Sequence, residues 1–393
     1  MTTSFTKQTG FDYSASIKPT LIKEQLPNYI PFIQNKDFLG HYINYKTDYF
    51  IPNEIAIRFP QILLNEKCLL ISISGAIGNA AVFNHSQDAF IGGAIAVLKF
   101  KEKKSLDFVM HFLMSASGQK LLLNSVKSSS HKNLTIADLR DLLIPLPPLN
   151  EQIAIANILS DVDCYLYSLD ALILKKESVK KALSFELLSQ RKRLKGFNQN
   201  WQKVRLGDIA EIIGGGTPST QITSFWNGSI NWFTPTEIGI TKYVYKSQRT
   251  ITPLGLKKSS AKLLPIGTIL LTSRASIGDC AILKVVATTN QGFQSLIPLE
   301  KINNEFLYYL ILTLKNKLLK LASGSTFLEV SLNKIKNLLI PLPPLNEQIA
   351  IANILSTLDH EIISLKNKKR QFENIKKALN HDLMSAKIRV LNK

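Results

Sequence analysis

Two long stretches of the chain place apolar residues at alternating steps of four and three, the spacing that is typical of a coiled-coil seam. In the first stretch the seam positions are Ile155, Leu159, Val162, Leu166, Leu169, Ile173, Lys176, Lys180, Leu183 and Leu187. In the second they are Ile351, Leu355, Leu358, Ile362, Leu365, Lys369, Phe372, Lys376, Leu379 and Leu383. The pattern predicts two long helices. The first would run from Asn150 to Lys195, end at a Gly196 cap and be about 65–70 Å long.

Both predicted helices start from the same block of sequence, because 142–160 recurs without a change at 338–356, 196 positions later. A repeat at so long a period indicates that one structural unit is used twice. The chain then divides into a first head at 1–141, a first helix at 142–196, a second head at 197–337 and a second helix at 338–393.

The start of each helix carries capping signals. A Pro-Leu-Pro-Pro-Leu run favours an extended approach in both copies. Asn150 and Asn346 are the predicted N-caps, and Glu151 and Glu347 fall in the first turn, where the helix dipole favours negative charge.

Acidic residues gather in the first half of each predicted helix and basic residues in the second half. An antiparallel pair would set each acidic half against a basic half, whereas a parallel pair would bring like charges together. One such contact is worth only about 0.3 kcal/mol, but many of the same sign select an orientation. We therefore predict an antiparallel coiled coil with a pseudo-twofold axis. The alternative is that each helix packs separately on its own head.

The two heads share a frame but little identity. The segment 30–33 aligns with 230–233, and Gly92 aligns with Gly292. Runs at 69–73 and 268–272 are typical of strands, and 107–123 and 305–321 of helices. The predicted fold class is α+β, with two small α+β domains joined by two long helices.

The charge of the chain narrows its possible partners. Lys and Arg number 48 against 29 Asp and Glu, which gives a net charge of +19 that is spread over all four segments. Nucleic acid is the polyanion that best fits such a surface, and the alternative is a merely basic soluble protein. Three scattered cysteines, no apolar leader and no membrane-length apolar run favour a cytoplasmic protein with no membrane association.

Loops of the second head have side chains and glycines suited to DNA. Gly215 and Gly216 would expose backbone N–H groups beside the hydroxyls of Thr217 and Ser219. The turn with Ser273, Arg274 and Ser276 would let the arginine reach a guanine edge, while Asn290 and Gln291 carry amides that suit adenine. In the first head the matching candidates are Ser74, Lys127, Ser129 and Lys132. For each side chain a solvated loop position is the alternative.

No catalytic constellation is visible in the sequence. It lacks a phosphate-binding Gly-rich motif, and its six histidines stand apart without metal-ligand spacing, so no metal site is predicted. Two Ser-x-x-Lys spacings, at 129–132 and 331–334, are of a kind expected by chance. We therefore expect partner subunits to carry the chemistry.

The repeated block at 145–159 and 341–355 resembles the conserved regions of specificity (S) subunits of type I restriction–modification systems. The segments 201–209, 215–219 and 272–278 resemble the second target-recognition domain of that family. The resemblance implies a non-catalytic subunit in which two target-recognition domains each read half of an asymmetric bipartite site in double-stranded DNA. It also implies that the helices set the gap between the half-sites.

The same resemblance implies the partners. Two methyltransferase (M) subunits would dock on the helices, and motor–nuclease (R) subunits would complete the restriction enzyme. The docking residues it assigns are Pro147, Asn150, Glu151, Gln152, Pro343, Asn346, Glu347 and Gln348. S-adenosylmethionine, ATP and Mg²⁺ would belong to these partners, with no cofactor in this chain.

The first head departs from the family pattern. Residues 1–20 contain neither the Trp-x-x-Val-x-Leu-Gly-Asp strand nor the Gly-Gly-Thr-Pro-Ser loop of the second head. Met1 nevertheless falls opposite Trp201, which predicts a first head of full length. Two other functional classes remain open on the sequence. One is a stand-alone coiled-coil DNA-binding regulator, and the other is a single-chain methyltransferase.

Overall fold

The computed structural model of the chain describes residues 17–125, 133–323, 328–385 and 387–390, and the backbone of 2–6. The described chain forms two compact units. Unit 1 consists of 1–170 and 368–393, and unit 2 of 171–367. Each unit combines one predicted head with part of both predicted long helices.

The described part of the head of unit 1 is built from short strands and short α-helices. Its strands are β1 Thr2–Thr6, β2 Tyr29–Ile33, β3 Phe38–Leu39, β4 Tyr42–Ile43, β5 Phe50–Pro52, β6 Leu63–Leu64, β7 Cys68–Ser72, β8 Ala80–Phe83, β9 Ala89–Ile91 and β10 Ile95–Phe100. Its helices are α1 Asn53–Ala56, α2 Leu106–Met114, α3 Ala116–Ser125 and α4 Ile136–Arg140.

The strands of unit 1 form two four-stranded sheets and one hairpin, in the orders β1-β10-β7-β8, β5-β2-β9-β6 and β3-β4. Every residue of β7 is buried, which explains why it reads as a continuous apolar run and not as an alternating one. One face of its sheet packs on α2, whose Phe108, Val109 and Phe112 are buried in the same cluster as Leu69. The head is α+β, as predicted.

The head of unit 2 repeats this architecture. Its strands are β11 Gln202–Arg205, β12 Ala210–Gly214, β13 Trp226–Phe233, β14 Tyr243–Val244, β15 Arg249–Ile251, β16 Ile269–Leu271, β17 Cys280–Leu283, β18 Ala287–Thr289, β19 Gln294–Pro298 and β20 Leu339–Leu342. Its helices are α6 Pro253–Lys257, α7 Asn304–Thr313, α8 Lys315–Leu321 and α9 Leu332–Lys336.

The sheets of unit 2 have the orders β12-β19-β16-β17-β14, β15-β13-β18 and β11-β20. In both heads a central strand pairs antiparallel on one side and parallel on the other: β2 with β5 and β9 in unit 1, β13 with β15 and β18 in unit 2. This shared pattern accounts for the alignment of 30–33 with 230–233 in sequences that otherwise differ.

The late helix of each head is interrupted, which corrects the prediction of single helices over 107–123 and 305–321. In unit 1 the break lies at Ser115, which is extended (φ −73°, ψ 163°) and accepts the Gly118 N–H on its hydroxyl at 3.1 Å. Gly118 lies so close to α2 that an added Cβ would stand 2.0 Å from the Phe112 carbonyl oxygen. In unit 2 the break lies at Leu314.

The first strand corrects the predicted alignment of the heads. β1 pairs with β10 in the way that β12 pairs with β19, with Thr2 opposite Phe100 and Ala210 opposite Pro298. Thr2 therefore corresponds to Ala210 and not to a residue near Trp201, so the prediction that Met1 falls opposite Trp201 was wrong. The pairing of β11 with β20 has no counterpart at 142–148 among the described residues of unit 1.

The two long helices are α5, Leu149–Leu188, and α10, Leu345–Met384, of 40 residues each. Each is about 60 Å long at 1.5 Å per residue. Both begin one residue before the predicted N-caps, so Asn150 and Asn346 lie inside the first turn. α5 also ends seven residues before Lys195, because Gln190 adopts a left-handed φ of 61° and the Lys192 N–H bonds back to the Glu186 carbonyl at 3.1 Å.

Within each unit, the segments of the two long helices make ion pairs whose residue numbers rise in one helix as they fall in the other. In unit 1, Asp163 pairs with Lys376, and Asp170 pairs with Lys369 at 2.6 Å. In unit 2, Lys176 pairs with Glu361 at 2.6 Å, and Lys180 pairs with Asp359. In each unit the paired segments therefore run antiparallel, and the lysines that interrupt the apolar seam have acidic partners.

Two further properties of the described residues concern membrane-spanning helices and cysteine reactivity. None of the helices there combines the length and the apolar character that crossing a membrane requires. Cys68, Cys164 and Cys280 are free thiols, and burial raises the pKa of the Cys68 thiol to about 12, which keeps it protonated and unreactive.

Candidate nucleic-acid interface

The three predicted DNA-contacting loops of the second head meet in unit 2. The Gly216 N–H donates to the Thr289 carbonyl at 2.9 Å, and the Ser273 N–H donates to the Gly292 carbonyl at 2.8 Å. The side chains of Thr217 and Gln291 are hydrogen-bonded to each other. The loops at 215–219, 273–276 and 290–292 therefore form one continuous surface around the ends of β12, β16 and β18.

Gly215 and Gly216 do not expose their backbone N–H groups in the way that the sequence analysis predicted. A Cβ on Gly215 would lie 1.8 Å from the Asn290 carbonyl oxygen, and one on Gly216 would lie 2.3 Å from the Ala261 nitrogen. Their N–H groups donate to Phe293 and Thr289 and are not exposed for a phosphate. The glycines let the loop pack closely on its own domain, and Ser219 is the exposed residue at its far end.

Two tryptophans hold that loop in place. Trp232 donates its indole N–H to the Gly216 carbonyl at 2.9 Å, and Trp226 donates to the Ser219 carbonyl at 3.0 Å. Their rings meet edge to face with centroids 5.0 Å apart. The Arg249 guanidinium lies over the Trp226 ring at 3.8 Å, and its side chain is exposed.

Arg249 is a candidate DNA contact that the sequence analysis missed. It stands on β15 directly opposite Trp232 on β13. The signal that could have found it was an arginine in the β-prone run 249–251, close in sequence to the tryptophans at 226 and 232. Without the strand pairing, nothing in the sequence connects Arg249 with the loop at 215–219.

Arg274 lies on the loop surface but is engaged. Its Nη2 contacts the Glu329 carboxylate at 2.8 Å, and both side chains are partly exposed. The turn around it is tight: Ala275 has a φ of 53°, and the Thr272 hydroxyl donates to the Ser276 carbonyl at 2.6 Å. Arg274 can therefore reach a base only by exchanging Glu329 for it.

Two of the remaining predicted contacts have roles within the domain. Ser273 is completely buried, and its hydroxyl lacks a hydrogen-bond partner among the described residues, so its predicted role at the surface was wrong. The Asn290 Oδ1 accepts the Gly292 N–H at 2.8 Å and stabilises its own turn. Gln291 is exposed, and Ser276 is half-buried.

The described part of the equivalent surface in unit 1 centres on Ser74 and Asn35. The Ser74 carbonyl accepts a hydrogen bond from Asn35 Nδ2 at 2.6 Å, and Asn35 Oδ1 is buried without a partner among the described residues. A cavity of about 270 Å³ lies beside them, lined by Gln34, Asn35, Lys36, Gly92, Gly93 and Ala94. The predicted contacts Lys127, Ser129 and Lys132 lie outside the described residues.

The predicted docking residues of unit 2 are mostly internal. Glu347 is fully buried and accepts hydrogen bonds from Arg193 Nη2 at 2.8 Å and from the Trp201 indole at 3.0 Å. Gln348 accepts the Asn303 N–H at 2.8 Å and donates to the Pro343 carbonyl at 2.9 Å. Both side chains anchor the start of α10 to the head.

The docking residues of unit 1 behave in the same way. Gln152 donates to the Pro147 carbonyl at 2.7 Å, and Glu151 pairs with Arg389 at 3.5 Å. Glu151 and Gln152 are buried, as are Glu347, Gln348 and Pro343, so direct contact of these five with a partner is corrected to a structural role. Asn150 and Asn346 are exposed and Pro147 is half-exposed, so these three stay predicted partner contacts.

The prediction that all histidines stand apart was also wrong. In unit 1, His41 and His111 lie with Asp163 so that one ligand atom of each falls within 4.8 Å of the others. His41 follows β3, His111 lies on α2 and Asp163 lies on α5. Their sequence separation hides a cluster that only the fold assembles.

Comparison with known proteins places this architecture in a family. The family model described as the type I restriction modification DNA specificity domain matches 17–176 and again 198–374. These two matches cover most of the chain and fall on the two repeats.

Named relatives agree with that match. The EcoR124I/EcoR124II specificity subunit of Escherichia coli is 31% identical over 282 residues, which cover 66% of this chain and 68% of that protein. The MjaVIII specificity subunit of Methanocaldococcus jannaschii is 26% identical over 97% of this chain and 91% of its own length. The MjaIX specificity subunit of the same organism is 42% identical, but the match spans only 46% of this chain and 42% of that protein. Each of the three is named as a specificity subunit of a type I restriction enzyme.

Solved structures show the same fold. A type I restriction–modification S subunit from M. genitalium superposes with a TM-score of 0.60 at 18% identity, over 98% of this chain and 96% of that one. A chain from a study of type I restriction–modification assembly gives a TM-score of 0.53 at 18% identity, over 91% of each chain. The chain therefore belongs to the type I restriction–modification DNA specificity family, as a DNA-recognition subunit that is not itself an enzyme.

Proposed function

We propose that this chain determines the DNA sequence specificity of a type I restriction–modification complex. Each head would read one half of an asymmetric bipartite site in double-stranded DNA. The two heads share a strand pattern but differ in the loops that would face DNA: unit 2 has Arg274, Gln291 and Arg249 where unit 1 has Ser74 beside a pocket. Different loops on one frame are what two unlike half-sites require.

The gap between the half-sites would be set by α5 and α10, paired as an antiparallel coiled coil over their whole length. The ion pairs within the two units support this proposal, because Asp163–Lys376 and Asp170–Lys369 in unit 1 and Lys180–Asp359 in unit 2 have the same antiparallel register, from which Lys176–Glu361 departs by two residues. The register shared by these three pairs is the observation that carries the proposal, since it is what one uninterrupted pair would produce.

Two M subunits would dock beside the exposed helix starts at Asn150 and Asn346, and R subunits would join them. S-adenosylmethionine, ATP and Mg²⁺ would be bound by these partners, in the cytoplasm, where the DNA is.

The test is co-expression of the full chain with its M subunit, followed by affinity purification and methylome sequencing. We expect a complex of one S and two M chains and methylation at a motif of two unlike halves with a fixed gap. A single uninterrupted motif, or methylation by this chain alone, would contradict the proposal. Exchange of the head at 1–141 for that of a relative should change one half-site only. This control shows which half-site the first head reads.

A further inference from the structure

Three metal-ligating side chains converge inside unit 1, away from the loop surface. His41 Nε2 lies 3.2 Å from Asp163 Oδ2, and His111 Nδ1 lies 4.0 Å from the same oxygen. His111 is completely buried, and the Asp163 side chain is 8% exposed. Ligands that bind one tetrahedral ion at about 2.0–2.1 Å stand about 3.3 Å apart. The His41–Asp163 pair already has this separation, the His111–Asp163 pair is wider at 4.0 Å, and the ligand atoms of all three residues lie within 4.8 Å of one another, so closure on an ion needs a modest movement of His111.

The hydrogen bonds leave lone pairs directed at this point. His111 Nε2 contacts the Ser160 hydroxyl at 3.1 Å, so a proton on Nε2 has an acceptor and Nδ1 presents its lone pair. His111 Nδ1 and Asp163 Oδ2 are buried and have no hydrogen-bond partner among the described residues. Burial lowers the pKa of His41 to about 4 and that of His111 to about 3, so both rings are neutral bases at pH 7. Unpaired buried acceptors are costly and therefore call for an explanation.

A cation already stands beside them. The Lys376 ammonium contacts the Asp163 carboxylate and lies 2.7 Å from His41 Nε2, to which it donates. The ammonium leaves Asp163 Oδ2 and His111 Nδ1 without a hydrogen bond. The cluster therefore stabilises a positive charge. A single ammonium, however, contacts only some of the electron-pair donor atoms of His41, His111 and Asp163.

Unit 2 shows how other side chains fill the corresponding place. The sequence repeat carries Asp163, Ser160 and Lys376 onto Asp359, Ser356 and Lys180. There the position of the histidines is taken by other side chains: Lys242 donates to the Tyr309 hydroxyl at 2.9 Å and to Ser356 at 3.1 Å, and Tyr309 donates to Asp359 at 2.5 Å.

The contrast between the units is one of charge and space. Unit 2 fills its site with a second tethered ammonium, which is also paired with Glu305. Unit 1 has two neutral imidazoles and a cavity of about 270 Å³ whose lining includes His41, His111, Ser160 and Asp163. A cavity of this size admits an ion with a bound water.

We propose that His41 Nε2, His111 Nδ1 and Asp163 Oδ2 form a binding site for a divalent transition metal of the zinc class. Two imidazoles and one carboxylate are a donor set that such ions prefer to Ca²⁺ or Mg²⁺. The ion displaces the Lys376 ammonium and takes a water as its fourth ligand, while Ser160 orients His111 from behind. The site joins the head to α5 and needs no DNA or partner subunit.

The experiment uses the full chain stripped of metal with EDTA, titrated with Co²⁺ in an absorption spectrometer and with Zn²⁺ in a calorimeter. We expect one ion per chain, visible d–d absorption of tetrahedral Co²⁺, and a rise in unfolding temperature with Zn²⁺. His41→Ala and His111→Ala should each weaken binding by about 100-fold or more. Tyr309→Phe, at the corresponding place in unit 2, should leave binding unchanged and is the matched control.

Lys376→Met gives the sharpest result, because it removes the competing cation. Zn²⁺ affinity should rise about 10-fold or more, and Zn²⁺ should restore the unfolding temperature that the substitution lowers. Binding that is absent in both the unaltered chain and Lys376→Met, or that persists in His111→Ala, overturns the proposal. If Lys376→Met does not fold without metal, the two histidine variants, checked by circular dichroism, decide alone.

Discussion

The carboxylate of Glu347, which solvent does not reach, is held by the guanidinium of Arg193 through Nη2 at 2.8 Å and Nε at 3.3 Å. This two-point contact ties the first turn of α10 to the segment that follows α5. Because the charge of Glu347 is buried, its loss or that of its partner has a larger effect than loss of a surface pair.

We expect Glu347→Ala to lower the free energy of unfolding by about 3 kcal/mol, since Arg193 and Trp201 both lose their acceptor. The matched control is Glu151→Ala, 196 positions earlier, where the Arg389 contact is longer at 3.5 Å and the arginine is more than half exposed. That change should cost about 1 kcal/mol or less. Urea unfolding of both variants measures the difference, and equal losses would show that the buried pair has no special weight.

Arg274→Ala should weaken recognition at one base position by about 1–3 kcal/mol if the arginine reads guanine. The control is Glu329→Gln, which frees Arg274 from its ion pair and should strengthen binding without changing the motif. Binding of the S–M complex to single-base variants of its site at one salt concentration gives both numbers. A uniform loss over all sequences would make Arg274 a phosphate contact instead.

Insertion of four residues into α5 between Ser168 and Lys175 should lengthen the gap in the recognised motif and leave both half-sites as they are. A seven-residue insertion at the same point keeps the apolar seam in phase and should lengthen the gap further with less loss of stability. Methylome sequencing reads the motif directly. A changed half-site with an unchanged gap would be the contrary result.

The histidines of unit 1 predict a pH dependence of stability in metal-free protein. Their pKa values in the folded state, about 4 for His41 and about 3 for His111, are below the unfolded value of 6.5. Between these values the unfolded chain binds more protons, so the free energy of unfolding should fall as the pH drops from about 6.5 toward 4. The slope is at most about 1.4 kcal/mol per pH unit for each histidine.

His111→Tyr, which copies the residue type of Tyr309, should flatten that dependence, while substitution of the exposed His85 by Gln should not. Urea unfolding at several pH values between about 7 and 4 decides between them. A His111→Tyr protein with the same slope as the unaltered chain would show that other groups titrate.

The elements that sequence patterns could predict are those fixed by local periodicity. The seam residues Ile155, Leu159, Leu169 and Ile173 are buried as the four-three spacing indicates, and both long helices begin one residue before their predicted N-caps. The end of α5 was missed because glutamine rarely adopts the left-handed conformation of Gln190, so Gly196 was the better local candidate.

The parts that could not be predicted depend on distant neighbours. Whether Ser273 faces solvent or core is decided by the strand pairing on either side of it, and whether Glu347 meets a partner protein or Arg193 is decided by how the chain returns after α5. His41 and His111 are 70 positions apart in sequence. Their proximity follows from the packing of α2 on its sheet, and the spacing of residues in the sequence does not predict that packing.

The identical blocks at 142–160 and 338–356 have different surroundings. In the second copy, residues of β20 pair with β11, and Leu339 is 48% exposed, whereas its twin Leu143 is 87% exposed. The same substitution can therefore be made at equivalent positions of the two copies and tested in two environments within one molecule. Because the local sequence is identical in the two copies, a difference between the effects of the same substitution in each copy measures the contribution of tertiary context to stability.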